Sequence, residues 1–123
     1  MERNEISGAV VDAALKVHSA LGPGLLESAY AACLRHELIK RGFNVASEVP
    51  VPVVYDGIRL EAGYKLDLLV EDTVVVELKA IETLAPIHQA QIISYLKLAG
   101  KPIGLLINFH SLLLKDGIKR FVV

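Results

Sequence analysis

The chain has 123 residues, 53% of them hydrophobic, with a single cysteine and a formal net charge of −1. That length fits one compact domain over 1–123, and the lone Cys33 excludes an intrachain disulfide or a cysteine-built zinc site. The charge balance argues against an extended basic face of the kind that grips duplex nucleic acid through its phosphates.

The apolar runs are short and broken by charge, well under the roughly 18 residues of a membrane span. The start, Met1-Glu2-Arg3-Asn4-Glu5, has neither the basic region nor the apolar stretch of a signal peptide. Together with the single thiol this leads us to expect a cytoplasmic protein. A mean hydropathy of +0.46 is high for a soluble domain, and the excess points to a homodimer or a partner protein covering part of the surface.

From Glu5 to Leu21, the residues Ile6, Val10, Ala13, Ala14, Val17 and Leu21 recur every three or four positions, which predicts an amphipathic helix. Gly22-Pro23-Gly24 breaks it. A second helix is predicted from Leu25 to Arg41, with Leu26, Tyr30, Ala31, Leu34, Leu38 and Ile39 packed and Gly42 as its stop. The period then falls to two through Phe43, Val45, Val49, Val51, Val53 and Tyr55, where Pro50 and Pro52 mark an edge or a bend. Asp56-Gly57 reads as a hairpin turn. Segments Leu60 to Val70 and Thr73 to Ile81, joined by Glu71-Asp72, complete an antiparallel meander. A third helix runs from Pro86 to Ala99. A buried strand from Ile103 to Asn108, a turn at Lys115-Asp116-Gly117 and a final strand from Ile118 to Val123 end the chain. This order describes a mixed α/β domain, one sheet with helices packed on it.

Three charges sit inside apolar strands. Asp67 lies within Tyr64–Val70, and Glu77 and Lys79 lie within Val74–Ala80. Residues two apart in a strand share a face, so Glu77 and Lys79 project together, opposite a core face of Val74, Val76, Leu78 and Ala80. If the chain turns at Glu71-Asp72, Asp67 meets Glu77 across the two strands. Adjacent carboxylates without a cation repel one another. A hard divalent ion such as Mg²⁺ removes that cost, and a lysine beside it can steady an attacking water or a phosphate oxygen, the logic of metal-assisted phosphodiester hydrolysis. The alternative is an ordinary charged pair on the wet face of a sheet.

Glu27 stands in the first turn of the second helix, with Tyr30 on the same face; it could equally be a favourable acid at a helix N-terminus. Gln91 and Tyr95 share a face of the third helix, near Gln89 and His88, where a polar flank with a half-buried tyrosine is the plainer account. His18, His36 and His110 are read as surface or cap residues, and Cys33 as core.

Gly24-Leu25-Leu26-Glu27-Ser28-Ala29-Tyr30 spells GxxExxY. With Gly63–Val70, the Val76–Ala80 strand, Gln91-x-x-x-Tyr95, Leu105–Phe109 and Leu114–Arg120, the chain resembles the GxxExxY family of the PD-(D/E)XK nuclease superfamily from about Ala20 to Val123. The resemblance implies a restriction-endonuclease-like core: helix, three-stranded meander, helix, strand, in a mixed sheet flanked by helices. It implies that Asp67 and Glu77 ligate Mg²⁺ or Mn²⁺, that Glu27 reaches the metal directly or through water, and that Lys79 orients the nucleophilic water. Gln91 and Tyr95 match the QxxxY element of RecB-like nucleases that lines the site near substrate, and Tyr30 joins them as a candidate contact. The expected function is hydrolysis of nucleic acid, DNA before RNA. The alternative is a catalytically silent nuclease-fold module acting in protein–protein interaction.

Overall fold

The computed structural model describes residues 1–123. Its elements are α1 (Arg3–Leu21), α2 (Glu27–Lys40), β1 (Val45–Pro50), β2 (Val53–Tyr55), β3 (Ile58–Leu60), β4 (Lys65–Val70), β5 (Val74–Lys79), α3 (Pro86–Ala99), β6 (Ile103–Asn108) and β7 (Ile118–Val122). A short 3₁₀ turn, Leu114–Gly117, precedes β7. Five strands form one mixed sheet in the order β1-β4-β5-β6-β7, with β5 and β6 parallel and the other neighbours antiparallel. The parallel step needs a crossover connection, and α3 supplies it.

Helices cover both faces. The inward stripe of α1, Ile6, Val10, Ala13, Ala14 and Val17, is buried as its spacing predicts. It joins Tyr30, Leu34 and Leu38 of α2 against Val74, Val76 and Leu78 of β5 and Ile103, Leu105 and Ile107 of β6. The other face is not wet. Val75, Leu66, Leu69 and Leu106 pack there against Ile92, Tyr95 and Leu96 of α3. Gly104 permits the close approach of α3, since a Cβ there would lie 2.9 Å from the Ile92 side chain and 3.1 Å from Leu96.

The long period-two segment is cut in two. After Pro50 the chain leaves the sheet, and β2 and β3 pair with each other alone, around an Asp56-Gly57 turn with both residues at positive φ, the geometry a tight hairpin demands. The meander is therefore β1-β4-β5 with a separate hairpin inserted. That hairpin leaves Tyr55 and Ile58 largely exposed. No helix is long and apolar enough to cross a membrane.

Two local expectations are corrected. His18 is buried, its Nε2 2.7 Å from the Ser111 carbonyl oxygen, and so ties the end of α1 to the loop after β6. Tyr30, a candidate substrate contact, is fully buried and stacks on Phe109 with ring centroids 4.4 Å apart. Its hydroxyl donates to the Gly22 carbonyl (2.5 Å) and accepts from the Leu25 N–H (3.1 Å). Its place is to staple the Gly22–Gly24 break, where both glycines take positive φ, leaving no part of it to meet a substrate.

Candidate active site

The site forms where β4 parts from β5. Their ladder pairs Val70 with Val74, Leu69 with Val75 and Leu68 with Val76, then stops. The next rung would join Asp67 and Glu77. There the side chains take over from backbone carbonyls. Glu77 Oε1 accepts from the Asp67 N–H at 3.2 Å, and Asp67 Oδ2 accepts from the Leu78 N–H at 2.8 Å. β5 meanwhile stays paired with β6 through Lys79 and Asn108, so it is β4 that turns away.

The other neighbour of β4 yields at the same level. β1 and β4 pair Ser47 with Leu68 and Val49 with Leu66, but Glu48 and Asp67 drop out of the ladder. Glu48 takes φ 51°, an uncommon conformation for a residue with a side chain. Residues two apart in a regular strand share a face. Here Leu68 packs with α1 and α2 while Leu66 packs with α3. The pleat changes phase at Asp67, as at a bulge beside a functional site, and leaves the part-buried Asp67 lining a cleft.

Asp67 lines a cleft of about 760 Å³ together with Glu27, Arg35, Ser47 and Glu48. Glu27, exposed at the start of α2, accepts from the Ala80 N–H at 3.2 Å, just past the end of β5. Glu77, by contrast, is only 5% exposed and lies on the α3 side with Lys79, whose Nζ reaches Gln91 Oε1 at 3.4 Å. Tyr95 lies nearby on α3, its ring 5.9 Å from that of Tyr64. The structure thus joins Asp67, Glu77, Lys79, Gln91 and Tyr95 around the open end of β4 and β5. Glu27 shares the cleft with Asp67, but no three acidic, histidine or cysteine groups converge into one cluster. Direct ligation by all three acids does not follow from this arrangement.

The electrostatics identify the tension in the pair. Burial first, then the charge of Asp67, pushes the Glu77 carboxyl up to about 8, against the Asp67 N–H and Lys79, which favour the anion. Burial and then the negative charge at Glu77 also raise the Tyr95 hydroxyl. Two hard oxygen donors, one of them forced to hold its proton, suit a divalent cation such as Mg²⁺, which needs only one or two carboxylates and keeps water in its other positions. The donor set fits the ion. Gln91 stands beside Lys79, while His88 is spent capping α3 through Nδ1, which accepts from the Ala85 N–H at 2.9 Å.

Two contributors escape the sequence reading. Asn108, nearly buried at the end of β6, accepts from the Ile81 and His110 N–H groups and donates to the Ile81 carbonyl, fixing the chain just after Lys79. A polar residue closing a six-residue apolar strand was its signal. Tyr64 is the other; an aromatic ring at a strand entrance carries no distinguishing pattern.

No curated protein and no solved structure matches the chain significantly. The family model of the PD-(D/E)XK nuclease superfamily matches residues 4–121, nearly the whole chain. It does so on a mixed sheet with helices on both faces, consistent with a restriction-endonuclease-like core. With Asp67 and the Glu77-x-Lys79 strand at one open sheet end, this chain belongs to the PD-(D/E)XK nuclease superfamily.

Proposed function

We propose that the chain is a divalent-cation-dependent nuclease that hydrolyses phosphodiester bonds, with DNA as its substrate. The observation that carries this reading is the Asp67–Glu77 pair, one member buried and holding its proton near neutral pH, with Lys79 two residues along the same strand face. Mg²⁺ or Mn²⁺ held by Asp67 and Glu77 supplies charge neutralisation and Lewis-acid activation when bound. The Lys79 ammonium stabilises negative charge at the phosphate or orients the attacking water. Gln91 positions Lys79 through their contact. Glu27, which shares the cleft with Asp67, contributes through water. The Gly24–Tyr30 sequence supports a place in the GxxExxY group of the superfamily.

The test is cleavage of single-stranded, duplex and branched DNA, and of RNA, in Mg²⁺ and Mn²⁺, with Asp67→Ala and Lys79→Ala as controls. Cleavage by the unaltered protein, abolished by EDTA and by either substitution in folded protein, supports the enzyme. No cleavage by folded protein on any substrate sinks it.

The exposed apolar residues of the β2–β3 hairpin, Val54, Tyr55, Ile58 and Leu60, favour a second reading. In it the fold is a catalytically silent module, and a homodimer or a partner protein covers that hairpin. Sedimentation over a concentration series distinguishes a dimer from a monomer that awaits another protein.

A further inference from the structure

We infer that Tyr64 is a base-stacking residue and that the substrate of the site is single-stranded nucleic acid, an inference resting on the nuclease reading above. Tyr64 leads into β4 three residues before Asp67, and the residue is 45% exposed. It leans on Tyr95 with centroids 5.9 Å apart and planes 49° apart, so it is braced on one flank while nearly half of the residue stays open to solvent. Its backbone is held as well, because its carbonyl accepts from the Val51 N–H at 2.8 Å. Tyr95 in turn belongs to the same buried cluster as Leu66 of β4, so the braced Tyr64 ring stands at the entrance of the strand that carries Asp67.

The charge of the chain favours an uncharged contact alongside the ionic ones. Thirteen lysines and arginines face fourteen acids, and four of the thirteen, Lys16, Arg41, Arg59 and Lys101, are already paired with carboxylates. A duplex hides its bases and offers mainly phosphates, whose grip grows with basic charge, and this chain has no net excess of it. An unpaired base offers a π-face to any exposed aromatic ring, and stacking tolerates every sequence. A braced, half-exposed tyrosine three residues from Asp67 suits that contact.

The experiment measures anisotropy of a fluorescent single-stranded DNA and of the matching duplex, with Ca²⁺ replacing Mg²⁺ to suppress cleavage. A 2-aminopurine in the single strand reports stacking by quenching. The unaltered protein should bind the single strand more tightly than the duplex and quench the probe. Tyr64→Ala and Tyr64→Leu should each lose about tenfold in single-strand affinity together with the quenching, in the range of one lost base stack. Tyr64→Phe should retain both. Duplex preference, an equal loss on both DNA forms, or rescue by Leu as complete as by Phe would overturn the inference. Binding and quenching that follow Tyr64 while no Mg²⁺ or Mn²⁺ cleavage occurs would remove the hydrolytic reading alone. Cleavage that is indifferent to Tyr64 would remove this inference alone.

Discussion

Replacing Glu77 by glutamine should stabilise the protein at neutral and alkaline pH. The buried carboxyl has a folded-state pKa of about 8, against 4.5 for the ordinary group. Below pH 4.5 both folded and unfolded states hold the proton, and Glu77 costs nothing. Between 4.5 and 8 the unfolded chain releases it and the folded chain does not, so stability falls as pH rises, by about 1.4 kcal/mol per unit. The deficit reaches roughly 3 kcal/mol at pH 7 and about 5 kcal/mol above pH 8. Glutamine keeps an oxygen to accept from the Asp67 N–H and cannot ionise. Urea midpoints at acid, neutral and mildly alkaline pH, all in EDTA, measure the difference. Wild type and variant should match near pH 4.5 and diverge steadily to pH 8, the variant being the more stable. A variant less stable than wild type at pH 8, or a constant gap across that window, would refute the reasoning.

Adding Mg²⁺ at pH 7 to 8 should reverse part of this deficit in the wild type, by about 3 kcal/mol at a free concentration a hundredfold above Kd; thermal shifts should show a much smaller gain for Glu77→Gln and Asp67→Ala. Tyr30→Phe removes a hydroxyl bonded to Gly22 and Leu25 and should cost about 1–3 kcal/mol in urea unfolding, with cleavage by the folded variant unchanged. Gly104→Ala forces a methyl into Ile92 and Leu96. Only terminal methyls have to shift, so it should destabilise by about 1 kcal/mol, and, because α3 carries Gln91 and Tyr95, it should also slow turnover in a cleavage assay.

The sequence by itself determined the elements and the cast of the site. Period and punctuation give α1, α2, α3 and the β5 and β6 strands, because amphipathic spacing and Gly or Pro stops are local properties of the chain. Glu77 and Lys79 share a face for the same local reason. What brings Asp67 to Glu77 is the length of the turn between their strands, which periodicity leaves open. Glu71 and Asp72 both take positive φ, and three residues, 71 to 73, separate the paired Val70 and Val74. A tighter turn, one residue shorter, would set Asp67 opposite Val76 and part the acids. The change of pleat at Glu48 and Asp67 depends on packing, because Leu66 and Leu68 are drawn to cores on opposite faces. Tyr30 and His18 look like site and surface residues in one dimension. Only the packed chain shows that both are buried, because the Phe109 ring that covers Tyr30 and the Ser111 carbonyl that holds His18 arrive from the far end of the sequence.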